Sequence, residues 1–157
     1  MSTKITISTA ITLMICTLFF QCGSSPTTKT ENNNGPKSMI KEESMKDPLK
    51  NKGIGPVNEV ILGPIDDKMV AEGKVLFESL CTACHKVEKR FIGPSPKGIT
   101  KRRSPEWIMN MIMNPEEMLQ KDPIAKQLLI EANGAPMANQ NVTEENARKI
   151  LEYFRTL

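Results

Sequence analysis

The sequence predicts an all-α fold, a small domain of about four to five helices, and three observations carry that prediction. Small and apolar residues recur at helical spacing in two stretches, Val70, Gly73, Phe77 and Leu80, then Ala147, Ile150, Leu151 and Phe154. Between them, Ser104-Pro105 and Asp122-Pro123 each set a capping side chain before a proline at a first helical position. No βαβ pattern is visible in the chain.

A length of 157 residues allows one domain, and the chain divides into three segments. Residues 1–22 read as an export signal: Lys4 is the single positive charge, and Ile5 to Phe20 form a mostly apolar run. That run is short for a membrane span, which needs about 20 apolar residues. It closes on Cys22-Gly23-Ser24-Ser25, which resembles the cleavage box of bacterial lipoproteins and implies Cys22 as the lipidated first residue of the mature protein. An uncleaved anchor would hold the chain at a membrane equally well. Residues 23–65 turn to Ser, Thr, Asn, Lys, Glu, Gly and Pro and read as a flexible tether. Such a stretch spans on the order of 35 Å. Part of it, Val57 to Ile65, is apolar enough to wrap the domain instead.

The domain is expected over residues 66–157. Asp66 and Asp67 place negative charge at the start of a helix, where the macrodipole favours it. The helix leads into Cys81-Thr82-Ala83-Cys84-His85, the attachment signature of a c-type haem. Each thiol adds to one vinyl group of the porphyrin, the two intervening residues let both sulfurs reach, and the imidazole becomes the proximal ligand. His85 is the only histidine in the chain. A structural zinc site wants four ligands, and with Cys16 and Cys22 in the amino-terminal segment only three candidates remain downstream. A Cys81–Cys84 disulfide would close a very small loop and leave His85 without a role. A buried haem would also supply apolar volume that the composition lacks, since 39% of residues are hydrophobic and only 4% aromatic.

Downstream, Phe91-Ile92-Gly93-Pro94 marks a turn. Ser104-Pro105-Glu106-Trp107 starts a helix whose residues Ile108 to Met113 run to Asn114-Pro115, where the proline ends it. Asp122 and Pro123 start another, with Gly134 as its stop. Thr143 caps the last helix, with Glu144 and Glu145 in its first turn.

From about Asp66 to Leu157 the chain resembles the class I c-type cytochromes, a fold built around one covalently attached haem c. The resemblance implies that the first and last helices cross closely, with Gly73 permitting the approach and Phe77 and Tyr153 locking it. It implies that the Pro94 carbonyl accepts the Nδ1–H of His85, and that Trp107 packs on the haem or hydrogen-bonds a propionate. For Trp107 the plainer reading is a half-buried amphipathic ring. Ten methionines are present. Met137, in the Gly134-Ala135-Pro136-Met137 loop, stands where the resemblance places the sixth iron ligand, with Met113 and Met118 as runners-up among helical residues.

These features point to a membrane-tethered monohaem electron carrier rather than an enzyme. A haem peroxidase or gas-ligand sensor with an open sixth position, and a haem-free lipoprotein adaptor, are the rivals. Export suits a haem that is attached outside the cytoplasm. The expected location is therefore the periplasmic side of a bacterial membrane, anchored through Cys22. The implied partners are a membrane quinol-oxidising complex as donor and a periplasmic reductase or terminal oxidase as acceptor, with nitrous oxide reductase systems one association of this look. The protein is expected to be monomeric. A formal charge of +3 is too small to argue for nucleic acid. Lys86, Lys89, Arg90, Lys97, Lys101, Arg102 and Arg103 nonetheless form a basic stretch suited to steering onto acidic partners, or to a solvated face.

Overall fold

Asp66 does more than sit in a first turn. In a computed structural model that describes residues 47–157, it is the N-cap of α1 (Asp67–Leu80), its carboxylate accepting the N–H groups of Lys68 and Met69 at 2.9 and 3.0 Å. Ser104 caps α2 (Pro105–Met113) through the Trp107 N–H at 3.1 Å. Thr143 caps α5 (Glu144–Phe154) through the Asn146 N–H. Between them lie α3 (Pro115–Lys121) and α4 (Pro123–Glu131), and a short 3₁₀ turn covers Ile99–Lys101. The described residues contain no strand, and none of their helices is long and apolar enough to cross a membrane. The signal, Cys22 and the tether as far as residue 46 lie outside the described residues.

The Asn114-Pro115 junction behaves differently from expectation. Pro115 ends α2 but also opens α3, so that α2, α3 and α4 each begin with a proline. A proline lacks the N–H that a helix interior needs and loses nothing at the first helical position, where that group has no partner anyway.

α1 and α5 cross in contact. A Cβ on Gly73 would stand 1.9 Å from the Lys149 carbonyl oxygen, so only a hydrogen fits there. Phe77 fills the next turn, its ring 5.6 Å from Phe154 edge-on and 5.7 Å from Tyr153. Glu152, fully buried on α5, accepts from the Asp66 N–H at 3.0 Å and from Arg155 and Arg148. Burial would raise its pKa, but the hydrogen bonds from Arg155, Arg148 and Asp66 outweigh it and hold the carboxyl below its usual range.

The packed domain begins before residue 66. Asn51 to Val60 forms a strap against α2 and α3 rather than part of a flexible tether. Asn110 on α2 is 1% exposed and grips the strap with both ends of its amide, donating to the carbonyls of Lys52 and Val57 and accepting the Val57 N–H at 3.0 Å. Val57 enters the core. Gly53 takes the left-handed φ of +74° that other residues resist, passing over Met118 and Trp107. The wrapping stops short of its expected end, because Ile61 stays 86% exposed and Leu62 and Ile65 are exposed as well.

Two outcomes follow. Gly73→Val forces the crossing apart and costs about 3 kcal/mol, read as a lower denaturation midpoint of the holoprotein. The depressed Glu152 carboxyl contributes stability that is present above its unfolded pKa of about 4.3 and is lost as pH falls through the lower folded value. Acid titration of the Glu152→Gln variant therefore shows a shallower loss of stability below pH ~4 than wild type.

Candidate functional site

The carboxyl end of α1 delivers the Cys81-to-His85 motif. Its backbone continues as a turn, with the N–H groups of Cys84 and His85 both donating to the Cys81 carbonyl at 3.1 and 2.9 Å. The Thr82 hydroxyl donates to the Glu78 carbonyl at 2.7 Å and ties the turn to the helix. Cys81 is half-buried and Cys84 exposed. Burial, then the neighbouring Cys84, pushes the Cys81 thiol up to about 11, so at neutral pH it stays protonated rather than acting as a reactive thiolate.

His85 is held from two sides. Its Nδ1 lies 2.8 Å from the Pro94 carbonyl oxygen. A carbonyl only accepts, so Nδ1 carries the hydrogen and Nε2 keeps the lone pair a metal needs. Gly93 lies against the ring: a Cβ there would fall 2.3 Å from His85 Cε1. The Gly93 N–H donates to the Cys84 carbonyl at 2.9 Å and closes the loop on the motif. Gly93 was legible only as half of a Gly-Pro turn, although its lack of a side chain is what lets the imidazole lie there.

These groups open onto a cavity of about 190 Å³ that is continuous with solvent. Cys81, Cys84 and His85 line it, and so do Pro136 and Met137 from the loop after α4. Met137 therefore shares the cavity with His85. The runners-up do not line it: Met118 is fully buried, its sulfur accepting the Ile54 N–H from the strap, and Met113 is absent from the wall. Met111, within the Ile108 to Met113 run of α2, does line it. The rest of the wall is largely aliphatic, including Leu80, Ile99, Ile112 and Leu128.

Trp107 is in the wall and 2% exposed, so it is buried rather than half-buried. Its indole N–H donates to Asp122 Oδ1 at 3.1 Å, so of the two roles the resemblance implies, its place in the wall suits packing on the haem. The basic stretch is partly neutralised. Lys97 pairs with Glu88, Arg90 lies 3.6 Å from Glu131, and Arg102 donates to the carbonyls of Lys97 and Ser95. Lys86 lies 5.4 Å from the ring centre of Phe91, which is exposed beside Ile92 near the cavity.

The residues present fit a covalently held haem. A largely aliphatic cavity is bordered by two thiols that could bond the porphyrin, and by a histidine in the ligating tautomer and a thioether that could serve the iron.

Residues 70–157 match the family model described as Cytochrome c. Among solved structures, cytochrome c from Rhodothermus marinus is 48% identical, with a TM-score of 0.63, covering 65% of this chain and 88% of that one. An engineered form of that cytochrome, Rma TDE, bound to a carbene intermediate, is 47% identical with a TM-score of 0.60, covering 65% and 88% of the two chains. The comparison with curated proteins returns no match.

Gly93→Ala places a methyl group inside the imidazole's space and breaks the His85–Pro94 contact, at a cost on the order of 1–3 kcal/mol. The expected result is a lower yield of haem-stained protein and a perturbed visible spectrum in the fraction that matures.

Proposed function

We propose that this chain, which belongs to the cytochrome c family and carries one haem c on Cys81 and Cys84, is a membrane-tethered electron carrier on the periplasmic side of a bacterial membrane. The observation that carries the reading is that His85 and Met137 line one cavity, with the His85 ring fixed by Pro94. Bound there, haem c supplies reversible one-electron exchange between ferric and ferrous iron. The chain's own residues account for the rest. The Pro94 carbonyl holds the proton of His85 on Nδ1 and raises the basicity of Nε2. Met137 offers a soft thioether that favours the reduced state relative to a second histidine. Aliphatic walls exclude water.

Cys22 as a lipid anchor and residues 23 to about 50 as the tether would let the domain reach between a quinol-oxidising membrane complex and a periplasmic reductase or oxidase. The apolar pair Phe91 and Ile92, with Lys86 beside them, suits a docking face at the cavity's edge. Ion pairing of Lys97 and Arg90 leaves less charge for long-range steering than the basic stretch suggests.

A second reading, a peroxidase or gas-ligand sensor, needs Met137 off the iron. The bound carbene intermediate of the engineered relative favours considering it. So does the local bonding of the Met137 loop, where the Asn141 N–H and the Gln140 amide donate within the loop, to Asn139 and Ala138.

Carbon monoxide binding to the reduced holoprotein separates the two. The carrier reading expects slow, limited binding by wild type and rapid binding by Met137→Ala. That variant also loses the long-wavelength absorption band of methionine-ligated ferric haem and has a lower potential. Rapid binding by wild type supports the second reading.

A further inference from the structure

The tryptophan wall of the cavity is backed by a buried carboxylate that capping alone does not require. Asp122 is 2% exposed. One oxygen accepts the Ala125 N–H at 2.8 Å, which caps α4, and the Trp107 indole N–H at 3.1 Å. The other accepts the Asn51 side-chain amide at 2.6 Å. All three neighbours are donors, so the lone pairs of a carboxylate are matched, whereas a carboxylic acid would turn its own hydrogen toward them. Ser104 and Thr143 cap α2 and α5 with neutral hydroxyls, and the carboxylate of Asp66 that caps α1 is exposed. A charge at the equivalent place in α4 is costly to bury and so invites another explanation.

A cation lies over the same indole. The Arg103 guanidinium is 5.3 Å from the Trp107 ring centre. Its Nε is buried with no hydrogen-bond partner among the described residues, and one terminal nitrogen donates to the Arg102 carbonyl at 2.6 Å. None of their ion pairs joins it to Asp122. Trp107 is thus polarised by two opposite charges, of which only the carboxylate is bonded to it.

We propose that Asp122 tunes the haem potential: its charge, bonded to the Trp107 wall, stabilises oxidised iron, and Asn51 is the positioning residue that holds the carboxylate in place. In a low-dielectric interior a fixed negative charge acts strongly on a nearby centre whose charge changes by one, and hydrogen bonding and burial around a haem are known levers on its potential. Asn51 is well placed for the role. Its side-chain oxygen accepts the Gly53 N–H at 2.8 Å and its carbonyl accepts the Ser104 hydroxyl at 2.6 Å. The carboxylate's third partner therefore comes from the strap and not from the helices around it. The inference rests on the haem reading of the cavity.

The test uses matured holoprotein, with covalent haem verified by in-gel staining before any potential is measured. Asp122→Asn is expected to raise the midpoint potential by about 59 mV, a tenfold change in the one-electron equilibrium. The double variant Asn51→Asp with Asp122→Asn restores the donor–acceptor match while moving the charge onto the strap. It should recover thermal stability lost in the single variant yet keep a potential above wild type. Asn51→Ala keeps the charge and loosens its support, so stability falls while the potential moves much less than in Asp122→Asn. An unchanged potential in haem-loaded Asp122→Asn, or an equal rise in Asn51→Ala, overturns the inference and leaves the electron-carrier reading intact. Unstained protein would instead overturn the haem reading.

Discussion

The crossing of α1 over α5 is the constraint from which the site follows. The cysteines and His85 hang from the end of α1, so their position is set by where that helix is fixed along its length. Gly73 brings the two backbones into contact, with the Lys149 carbonyl in the space a side chain would take, and Phe77 packs between Tyr153 and Phe154 one turn later. Glu152 adds a polar lock at the other end, bonding the Asp66 N–H that starts α1. A buried carboxylate is favourable only when its partners are complete, and Arg148, Arg155 and Asp66 complete it. With both ends of the contact pinned, the last turn of α1 has one place to deliver its thiols.

The distal half is organised on a different principle. α2, α3 and α4 are short, and each begins with a proline whose φ is preset for a helix. Helices of this length are marginal alone and depend on packing and on caps. Their organising groups are polar and buried: Asn110 holds the strap, and Asp122 joins the strap to Trp107 and to the start of α4. Such networks specify one arrangement when every member is satisfied. That arrangement positions Trp107 in the cavity wall.

Features that act locally were legible in the sequence, and those that depend on distant partners were not. Caps such as Ser104 and Thr143 lie three residues from the N–H groups they accept, so a short window contains the whole interaction. The motif at Cys81 to His85 is likewise contiguous. The strap was hidden because Lys52, Gly53 and Pro56 have the composition of a linker, while the groups that order it lie 53 to 71 residues away. The same reason obscured the partner of the Trp107 N–H, since nothing near the tryptophan shows that Asp122 will arrive beneath it. Among the methionines, loop against helix separated Met137 from Met113 and Met118. It could not separate Met111, because helical spacing alone does not show which side of α2 faces the cavity.

The cavity itself bears on why the prosthetic group is attached covalently. A largely aliphatic cavity, open to solvent, interrupts the core of a domain that has few aromatic side chains to fill it. Empty apolar space in a core is destabilising roughly in proportion to its volume, and a domain of this size has little stability in reserve. The haem is therefore part of the hydrophobic core as well as the redox centre. A group bound only by contacts would stabilise the fold by an amount that depends on its free concentration. Thioether bonds at Cys81 and Cys84 remove that dependence, because the core stays with the chain.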